Sequence, residues 1–166
     1  ILKLLKQVNH QLGISIVLIT HQMSVIKEIC DRVAVMEEGE IRETGRVIDL
    51  FAHPQQTITR SFIATTSNIS RIDDLIREGA SITRLQSGET MALLSYNTVN
   101  TNQALISRIS RDYQVDANII FGNIEVIQNQ PLGRLVVIFS GEKEKVEQAM
   151  AELTKAQVKV EVIQSC

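Results

Sequence analysis

The chain has 166 residues, of which 44% are hydrophobic, and its formal net charge is −2. Its 17 lysines and arginines are balanced by 19 aspartates and glutamates, and no basic stripe is present, which argues against nucleic-acid binding. Apolar runs stop at about six residues, far short of the roughly 20 needed to cross a bilayer, so any membrane role requires a partner. Two cysteines without a secretory signal predict a cytosolic, globular protein.

The chain begins with a predicted amphipathic helix and a predicted buried strand. The helix has an apolar face of Ile1, Leu4, Leu5, Val8 and Leu12. Residues 14–19 are almost all apolar and are β-branched at four of six positions, which predicts a strand buried on both faces of a parallel sheet. His21 follows the carboxyl end of this strand, where open α/β sheets bind ligands, so it is a candidate ligand contact. Alternatively, His21 caps the next helix or bonds a backbone carbonyl.

The elements predicted after His21 follow a recognisable order. They are a helix at 22–30, the pair Asp31-Arg32, a strand at 33–37, a turn at Glu38-Gly39, a strand at 40–43, and a helix at 45–51 before His53-Pro54. This order resembles the switch region of ATP-binding-cassette ATPases. The resemblance implies that the imidazole of His21 contacts the γ-phosphate of ATP, because its N–H donates to a phosphate oxygen and loses that contact on cleavage.

Other sequence motifs of that family do not occur in the chain. None of its eight glycines is followed by lysine, so the phosphate-binding G-x-x-x-x-G-K-[ST] loop is missing. The magnesium-binding aspartate, the catalytic glutamate and the Leu-Ser-Gly-Gly-Gln signature are missing as well. We therefore expect residues 1–66 to be the C-terminal part of a nucleotide-binding domain that does not hydrolyse ATP alone. ATP and Mg²⁺ are then cofactors of the parent protein only, and no metal site is expected in this chain.

Residues 67–88 are interpreted as a linker. A Ser/Thr/Asn cluster at 65–70 marks its start. A short helix is predicted at 69–76 and a short strand at 81–85, and the charges between them are interpreted as a solvated face.

From residue 89 the predicted order is strand, helix, strand, strand, helix, strand. The ranges are 91–95, a helix at 101–113 with a Thr or Asn cap, a long strand at 115–127 interrupted at Gly122, a turn at 128–133, a strand at 135–139, a helix at 142–156 and a closing strand from Val158. This is a ferredoxin-like βαββαβ plan, in which two helices cover one sheet face and leave the other face available. An uncovered face or strand edge in so small a domain predicts dimerisation.

Residues 115–124, 133–137 and Ser140-Gly141 resemble the NIL domain, whose Asn-Ile-Leu tripeptide is here Asn118-Ile119-Ile120. The resemblance implies a methionine-binding regulatory domain at 89–163. The candidate ligand residues are Asn118, Ile119, Ile120 and Gly122. The Asn118 amide suits an amino acid's carboxylate or ammonium group. Alternatively, Asn118 bonds an edge-strand backbone group, and either Asn118 or Gly122 marks a bulge.

The two resemblances together predict the fold class and the function. The chain is an α/β fragment, the tail of a P-loop cassette ATPase domain, followed by an α+β ferredoxin-like NIL domain. They imply the ATP-hydrolysing subunit of a bacterial methionine importer, peripheral at the cytoplasmic face of the inner membrane. Its implied partners are a second copy bound through both domains, transmembrane permease subunits, and L-methionine as an inhibitory effector. The alternative is a stand-alone amino-acid-sensing or dimerisation module without ATPase activity.

Overall fold

The computed structural model describes residues 1–65, 70–96 and 103–166, which divide into two compact units. The first unit consists of Ile1–Ser70 with Ile127–Asn129, and the second of Arg71–Val126 with Gln130–Cys166. The predicted Thr or Asn cap of the helix at 101–113, and most of the predicted Ser/Thr/Asn cluster, lie outside the described residues.

The first unit contains four helices and one hairpin within its described part. They are α1 (Leu2–Leu12), α2 (Met23–Ile29), β1 (Arg32–Glu37), β2 (Glu40–Arg46), α3 (Val47–Ala52) and α4 (Thr57–Ala64). Strands β1 and β2 pair antiparallel, with a register shift at Val35/Met36. Glu38 and Gly39 join them with positive φ angles of 51° and 81°, the backbone that a tight two-residue hairpin turn requires.

The core of the first unit is built around α3. This helix buries Val47, Ile48, Leu50 and Phe51, and α2 and α4 each add one buried isoleucine, Ile26 and Ile63. Gly45 lets β2 pass close to α3, since a Cβ atom at this position would lie 2.5 Å from Cδ1 of Leu50.

Two charged side chains fix the loop that leads into α4. The Glu43 carboxylate accepts the backbone N–H groups of Gln55 at 3.0 Å and Gln56 at 3.1 Å. The Arg60 guanidinium donates to the carbonyls of Pro54 and Gln55. The loop's exposed backbone groups are therefore bonded on both sides, and a negative charge lies at the amino end of α4, where the helix dipole favours it.

The second unit is a four-stranded sheet with helices on its faces. Its elements are α5 (Ser70–Arg77), a short 3₁₀ helix (Ser81–Thr83), β3 (Thr90–Tyr96), α6 (Leu105–Tyr113), β4 (Asp116–Ile127), β5 (Gln130–Ser140), α7 (Lys143–Lys155) and β6 (Lys159–Ser165). The strand order is β4-β5-β3-β6, and β3 pairs antiparallel with both β5 and β6. Strand β4 is therefore at one edge of the sheet.

One face of this sheet packs against α6 and α7. The buried side chains of this α6/α7-side core are Ala92, Leu94, Tyr96, Leu105, Ile109, Val115, Val137, Phe139, Val146, Ala149, Leu153 and Val158. Those from α7 recur at the spacing of one helix face, and those from β3 alternate along the strand. The predicted helix at 142–156 and strand at 91–95 are thus present as α7 and β3.

The sequence predicted that the opposite sheet face is left available, but in the structure this face is covered. Helix α5 lies on it, and Ile72 joins Met91, Val136 and Ile138 in a second buried cluster, the α5-side core. The prediction was wrong because the short amphipathic helix in the assumed linker has an apolar stripe of its own, and this stripe is buried on the sheet.

Three further predictions differ from the structure. Residues 14–19 form no strand, because no other described strand pairs with them. Residues 81–85 contain a 3₁₀ turn instead of a strand, since the buried Thr83 hydroxyl bonds back to the Ala80 carbonyl at 2.9 Å. Strand β4 continues through Gly122 to Ile127, and the turn to β5 is only Gln128-Asn129.

Candidate functional site

Residues 14–19 are mostly apolar and exposed, and they belong to no helix or strand. Val17 and Ile19 are 90% and 96% exposed, and Ile14, Ile16 and Leu18 are about half as exposed. A row of large exposed apolar side chains in one short segment is typical of a surface that another element covers. The same side chains that predicted a buried strand therefore lie in solvent in this chain.

His21 follows this segment directly and is itself exposed. The backbone N–H of Gln22 donates to Oγ1 of Thr20 at 3.0 Å, which turns the chain into α2. Gln22 is the residue that precedes α2, and it makes no capping bond through its side chain. The imidazole of His21 makes no hydrogen bond within the described part of the chain, so the alternative that it caps α2 is not what the structure shows.

Helix α2 holds its end of the His21 loop in place through two contacts. Ile26 is buried, and the Lys27 ammonium lies over the ring of Phe51 in α3, 5.2 Å from its centroid. Burial, together with the charge of Asp31, raises the pKa of the Cys30 thiol at the end of α2. Cys30 therefore stays protonated near neutral pH and is a poor nucleophile.

The candidate ligand residues of β4 are divided between the two sheet faces. Ala117 packs against the α6/α7-side core, and Ile120 packs against the α5-side core. Because side chains alternate along a strand, Asn118 shares the α5 side with Ile120, and Ile119 lies on the α6/α7 side. Asn118 is exposed there.

A break in this alternation follows Ile120. Phe121 packs against the same α5-side core as Ile120, although consecutive residues of a regular strand face opposite sides. Gly122 then returns to the α6/α7 side, since a Cβ atom there would lie 3.0 Å from Cδ2 of Leu135. The structure therefore places a bulge-like irregularity at Ile120-Phe121 and brings Asn118 together with Ile120, but not with Gly122.

The outer edge of β4 is apolar. Ile119, Ile124 and Val126 are 49%, 68% and 66% exposed. Its charged residues are Asp116 and Glu125, and it contains no lysine or arginine, the charges that edge strands commonly use to prevent pairing with another chain. No strand in the described residues pairs with this outer edge.

The sequence interpretation missed two features of the second unit. The first is the role of α5, which the Ile72, Leu75 and Ile76 spacing indicated, but which was assigned to a linker. The second is Tyr96, whose ring is almost fully buried in the α6/α7-side core. Burial raises the pKa of Tyr96 to about 12, so the phenol is neutral over the whole ordinary pH range.

The described residues contain neither a cluster of metal ligands nor a membrane-spanning helix. No three His, Cys, Asp or Glu side chains in residues 1–65, 70–96 and 103–166 lie close enough to hold a metal ion. Within the same ranges, no helix is both long and apolar enough to cross a membrane.

Part of the chain is similar to a known domain family. Residues 90–162 match the NIL domain family. The candidate residues of β4 lie inside the matched range.

The whole chain is similar to methionine import ATP-binding proteins. It is 40% identical over 163 residues to the methionine import ATP-binding protein MetN of Lacticaseibacillus paracasei, covering 98% of this chain and 47% of that protein. It is 40% identical over 165 residues to MetN 1 of Enterococcus faecalis and 43% identical over 164 residues to MetN 2 of Oenococcus oeni, in each case covering 46% of the relative. The resemblance inferred from the sequence is confirmed, and the chain spans about half the length of these relatives.

One solved structure is also similar. It is the crystal structure of the C-terminal domain of an ABC transporter ATP-binding protein from Enterococcus faecalis, which is 27% identical. The match covers 55% of this chain and 93% of that one, with a TM-score of 0.44.

Proposed function

We propose that this chain is the C-terminal part of the ATP-hydrolysing subunit of an ABC transporter that imports methionine. The observation that carries the proposal is the similarity of about 40% to methionine import ATP-binding proteins, which extends across both units. In this proposal, residues 1–66 complete a nucleotide-binding domain, 67–88 link it, and 89–163 are the regulatory domain. The βαββαβ order and the strand order β4-β5-β3-β6 support a ferredoxin-like plan for that domain.

The exposed segment at residues 14–20 supports the first part of this proposal. Its apolar side chains suit a strand that is covered on both faces by the rest of a parallel α/β sheet. Covering Val17 and Ile19 would stabilise the parent protein by about 1.5–3 kcal/mol for each side chain.

His21 is the residue of this chain that we assign to ATP. The imidazole is exposed and makes no hydrogen bond within the described residues, so it is available to donate to a phosphate oxygen. ATP with Mg²⁺ supplies the phosphoryl group whose hydrolysis drives transport, and the remaining ligands belong to the parent protein. His21 donates to the γ-phosphate, and α2, fixed by Ile26 and Lys27, holds the loop that presents it.

Methionine is the effector that we assign to the α5 side of β4. The exposed Asn118 amide can both donate to a carboxylate and accept from an ammonium group, while Ile120 and Phe121 offer apolar surface beside it. Binding inhibits transport if methionine prefers the state in which the two ATPase domains are apart. Gly122 and Ile119 lie on the other face and are not contacts in this proposal.

A second copy of the chain is the partner that we assign to the edge of β4. Pairing along this edge would cover Ile119, Ile124 and Val126 and satisfy the backbone groups of the strand. The transmembrane permease subunits then place the assembled subunits at the cytoplasmic face of the inner membrane.

The test uses the full-length subunit encoded by the gene, purified with its permease subunits. We expect ATP hydrolysis to be lost in His21→Ala and kept in His10→Ala, a control on the exposed face of α1. We expect Asn118→Ala to weaken methionine binding and inhibition, whereas Asn123→Ala, a matched asparagine in the same strand, leaves both unchanged. A subunit that neither hydrolyses ATP nor binds methionine would contradict the proposal and favour a dimerisation module.

Dimerisation has its own measurement. We expect Ile124→Lys to shift the full-length subunit toward monomer in light scattering, while Ile82→Lys, at an exposed isoleucine away from β4, does not. An unchanged mass for Ile124→Lys would exclude the β4 edge as the interface.

A further inference from the structure

The first unit includes three residues from far along the chain. Besides Ile1–Ser70 it contains Ile127–Asn129, the segment that ends β4 and makes the turn to β5. Ile127 is fully buried. Gln128 and Asn129 have φ angles of 52° and 63°, which are typical of a two-residue hairpin turn of type I′. This segment is therefore a structural part of the unit that carries His21.

The side chain of Gln128 is bonded to the end of helix α2. Its amide Nε2 donates to the Cys30 carbonyl at 2.7 Å, across 98 residues of sequence. Cys30 is the residue that follows α2, and the last carbonyls of a helix have no partner within the helix. The bond is partly buried, so the carbonyl would lose stabilisation if its donor were removed. Gln128 therefore satisfies a carbonyl that the helix itself leaves open.

Helix α2 depends on such contacts for its position. It has seven residues, Met23–Ile29, which are too few for a helix that is stable by itself. The contacts of Ile26 and Lys27 hold its middle, and the Gln128 bond acts at its carboxyl end. The loop with His21 precedes its amino end. Because the backbone bonds of a helix keep it straight over so short a length, a contact that fixes one end also fixes the other.

We propose that Gln128 is a positioning residue for His21. The inference rests on the proposed function, in which His21 contacts the γ-phosphate of ATP, and it adds a residue outside 1–66 that holds the imidazole in place. Gln128 touches no nucleotide itself. Without its amide, the carboxyl end of α2 is less firmly held, so His21 is less well placed and the γ-phosphate binds more weakly. ADP has no γ-phosphate, so its binding does not depend on Gln128.

The test compares two nucleotides bound to the full-length subunit with its permease. Calorimetric titration in the presence of Mg²⁺ gives the Kd for ADP and for a non-hydrolysable ATP analogue, and the ratio of the two reports the γ-phosphate contact. Gln128→Glu replaces the donor by an acceptor of the same size and adds a negative charge at the carboxyl end of α2, where the helix dipole disfavours it. We expect the preference for the ATP analogue to fall about fivefold, the size of effect of one hydrogen bond, and the Kd for ADP to stay within about twofold of wild type.

Three further variants isolate the cause. Gln128→Gly suits the positive φ angle but has no amide, so it should lose preference as Gln128→Glu does. Gln128→Lys keeps a donor beside the carbonyl and should match wild type. Gln157→Glu, at another glutamine with a positive φ angle, is the control and should also match wild type. In the His21→Ala background, Gln128→Glu should change the preference no further, because its effect passes through the imidazole.

An unchanged preference in Gln128→Glu and Gln128→Gly would overturn the inference. An equal loss of ADP and ATP-analogue binding, or a full additional loss in the His21→Ala background, would overturn it as well, since Gln128 would then act on the fold and not through His21. If Gln128→Glu does not fold, as judged by its thermal melt, Gln128→Gly decides by the same criteria. If His21→Ala alone leaves the preference unchanged, the role proposed for His21 is wrong, which distinguishes the two failures.

Discussion

Substitution of Gly122 by alanine tests whether this glycine is needed to make room for a ligand or for the packing of the neighbouring Leu135 side chain. The φ angle of Gly122 is not positive, so alanine fits the backbone there. In a strand interior, alanine in place of glycine would by itself stabilise the protein by about 0.5–1 kcal/mol. The new Cβ, however, lies 3.0 Å from Cδ2 of Leu135, whereas carbon atoms prefer about 3.5–4.0 Å. Overpacking of this kind costs about 1–3 kcal/mol. The net expectation for Gly122→Ala is a loss of about 1 kcal/mol, which lowers the melting temperature by roughly 4–8 °C for a unit of this size.

Thermal unfolding followed by circular dichroism measures this loss, and a second background identifies its cause. In Leu135→Ala the atom that Cβ meets is absent, so adding Gly122→Ala should raise the melting temperature relative to Leu135→Ala alone. In a double-mutant cycle, Gly122→Ala should therefore lower the melting temperature of the wild type and raise that of Leu135→Ala. If Gly122→Ala is equally destabilising in both backgrounds, contact with Leu135 is not the reason for the glycine.

Three other predictions follow from particular side chains. Burial raises the pKa of Glu43, but the Thr59 side chain, the backbone N–H groups of Gln55 and Gln56 and the charge of Arg60 together bring it below its usual value. The stabilisation by Glu43 is therefore present above its unfolded pKa of about 4.3 and is lost as pH falls through the folded value. Glu43→Gln should lose about 1 kcal/mol at pH 7, and its acid unfolding should depend less on pH. Val17→Asp should change the stability of this chain by less than about 0.5 kcal/mol but destabilise the full-length subunit by several times more, which urea unfolding of both would show. Burial raises the pKa of Tyr96 to about 12, so the contribution of the neutral phenol to stability is complete below pH 10 and is lost as pH rises through 12. In an absorbance titration, Tyr96→Phe should lack the phenol ionisation that occurs at the highest pH.

The sequence predicted best those elements whose periodicity was long and whose partners lie in this chain. Helix α7 repeats apolar residues at one-turn spacing, and β3 is a mostly apolar strand, so their ranges needed only minor adjustment. The apolar part of β5 at 135–139 was predicted, but the strand begins earlier, at Gln130. The turn at Gln128-Asn129 was predicted too long because Pro131 and Gly133 indicated a loop. Both lie in β5, and Pro131 is beyond the last residue of β5 that pairs with β3, where no N–H is needed on that side.

The sequence could not show which surfaces meet. The Ile72, Leu75 and Ile76 stripe predicted an amphipathic helix but not that its partner is the second sheet face. The break in side-chain alternation at Ile120-Phe121 could not be predicted from the pattern of apolar residues, because both residues are apolar. This break decides which candidate residues share a sheet face with Asn118. The prediction of a strand at residues 14–19 was wrong for this chain, because a strand forms only where another strand is present to bond its backbone.

ATP hydrolysis by the full-length subunit with its permease, measured as the methionine concentration is raised, tests the proposed function. We expect hydrolysis to fall as methionine saturates its proposed site, and not to fall in Asn118→Ala. A hydrolysis rate that is the same at every methionine concentration, in a wild-type subunit that demonstrably binds ATP, would contradict the proposed function.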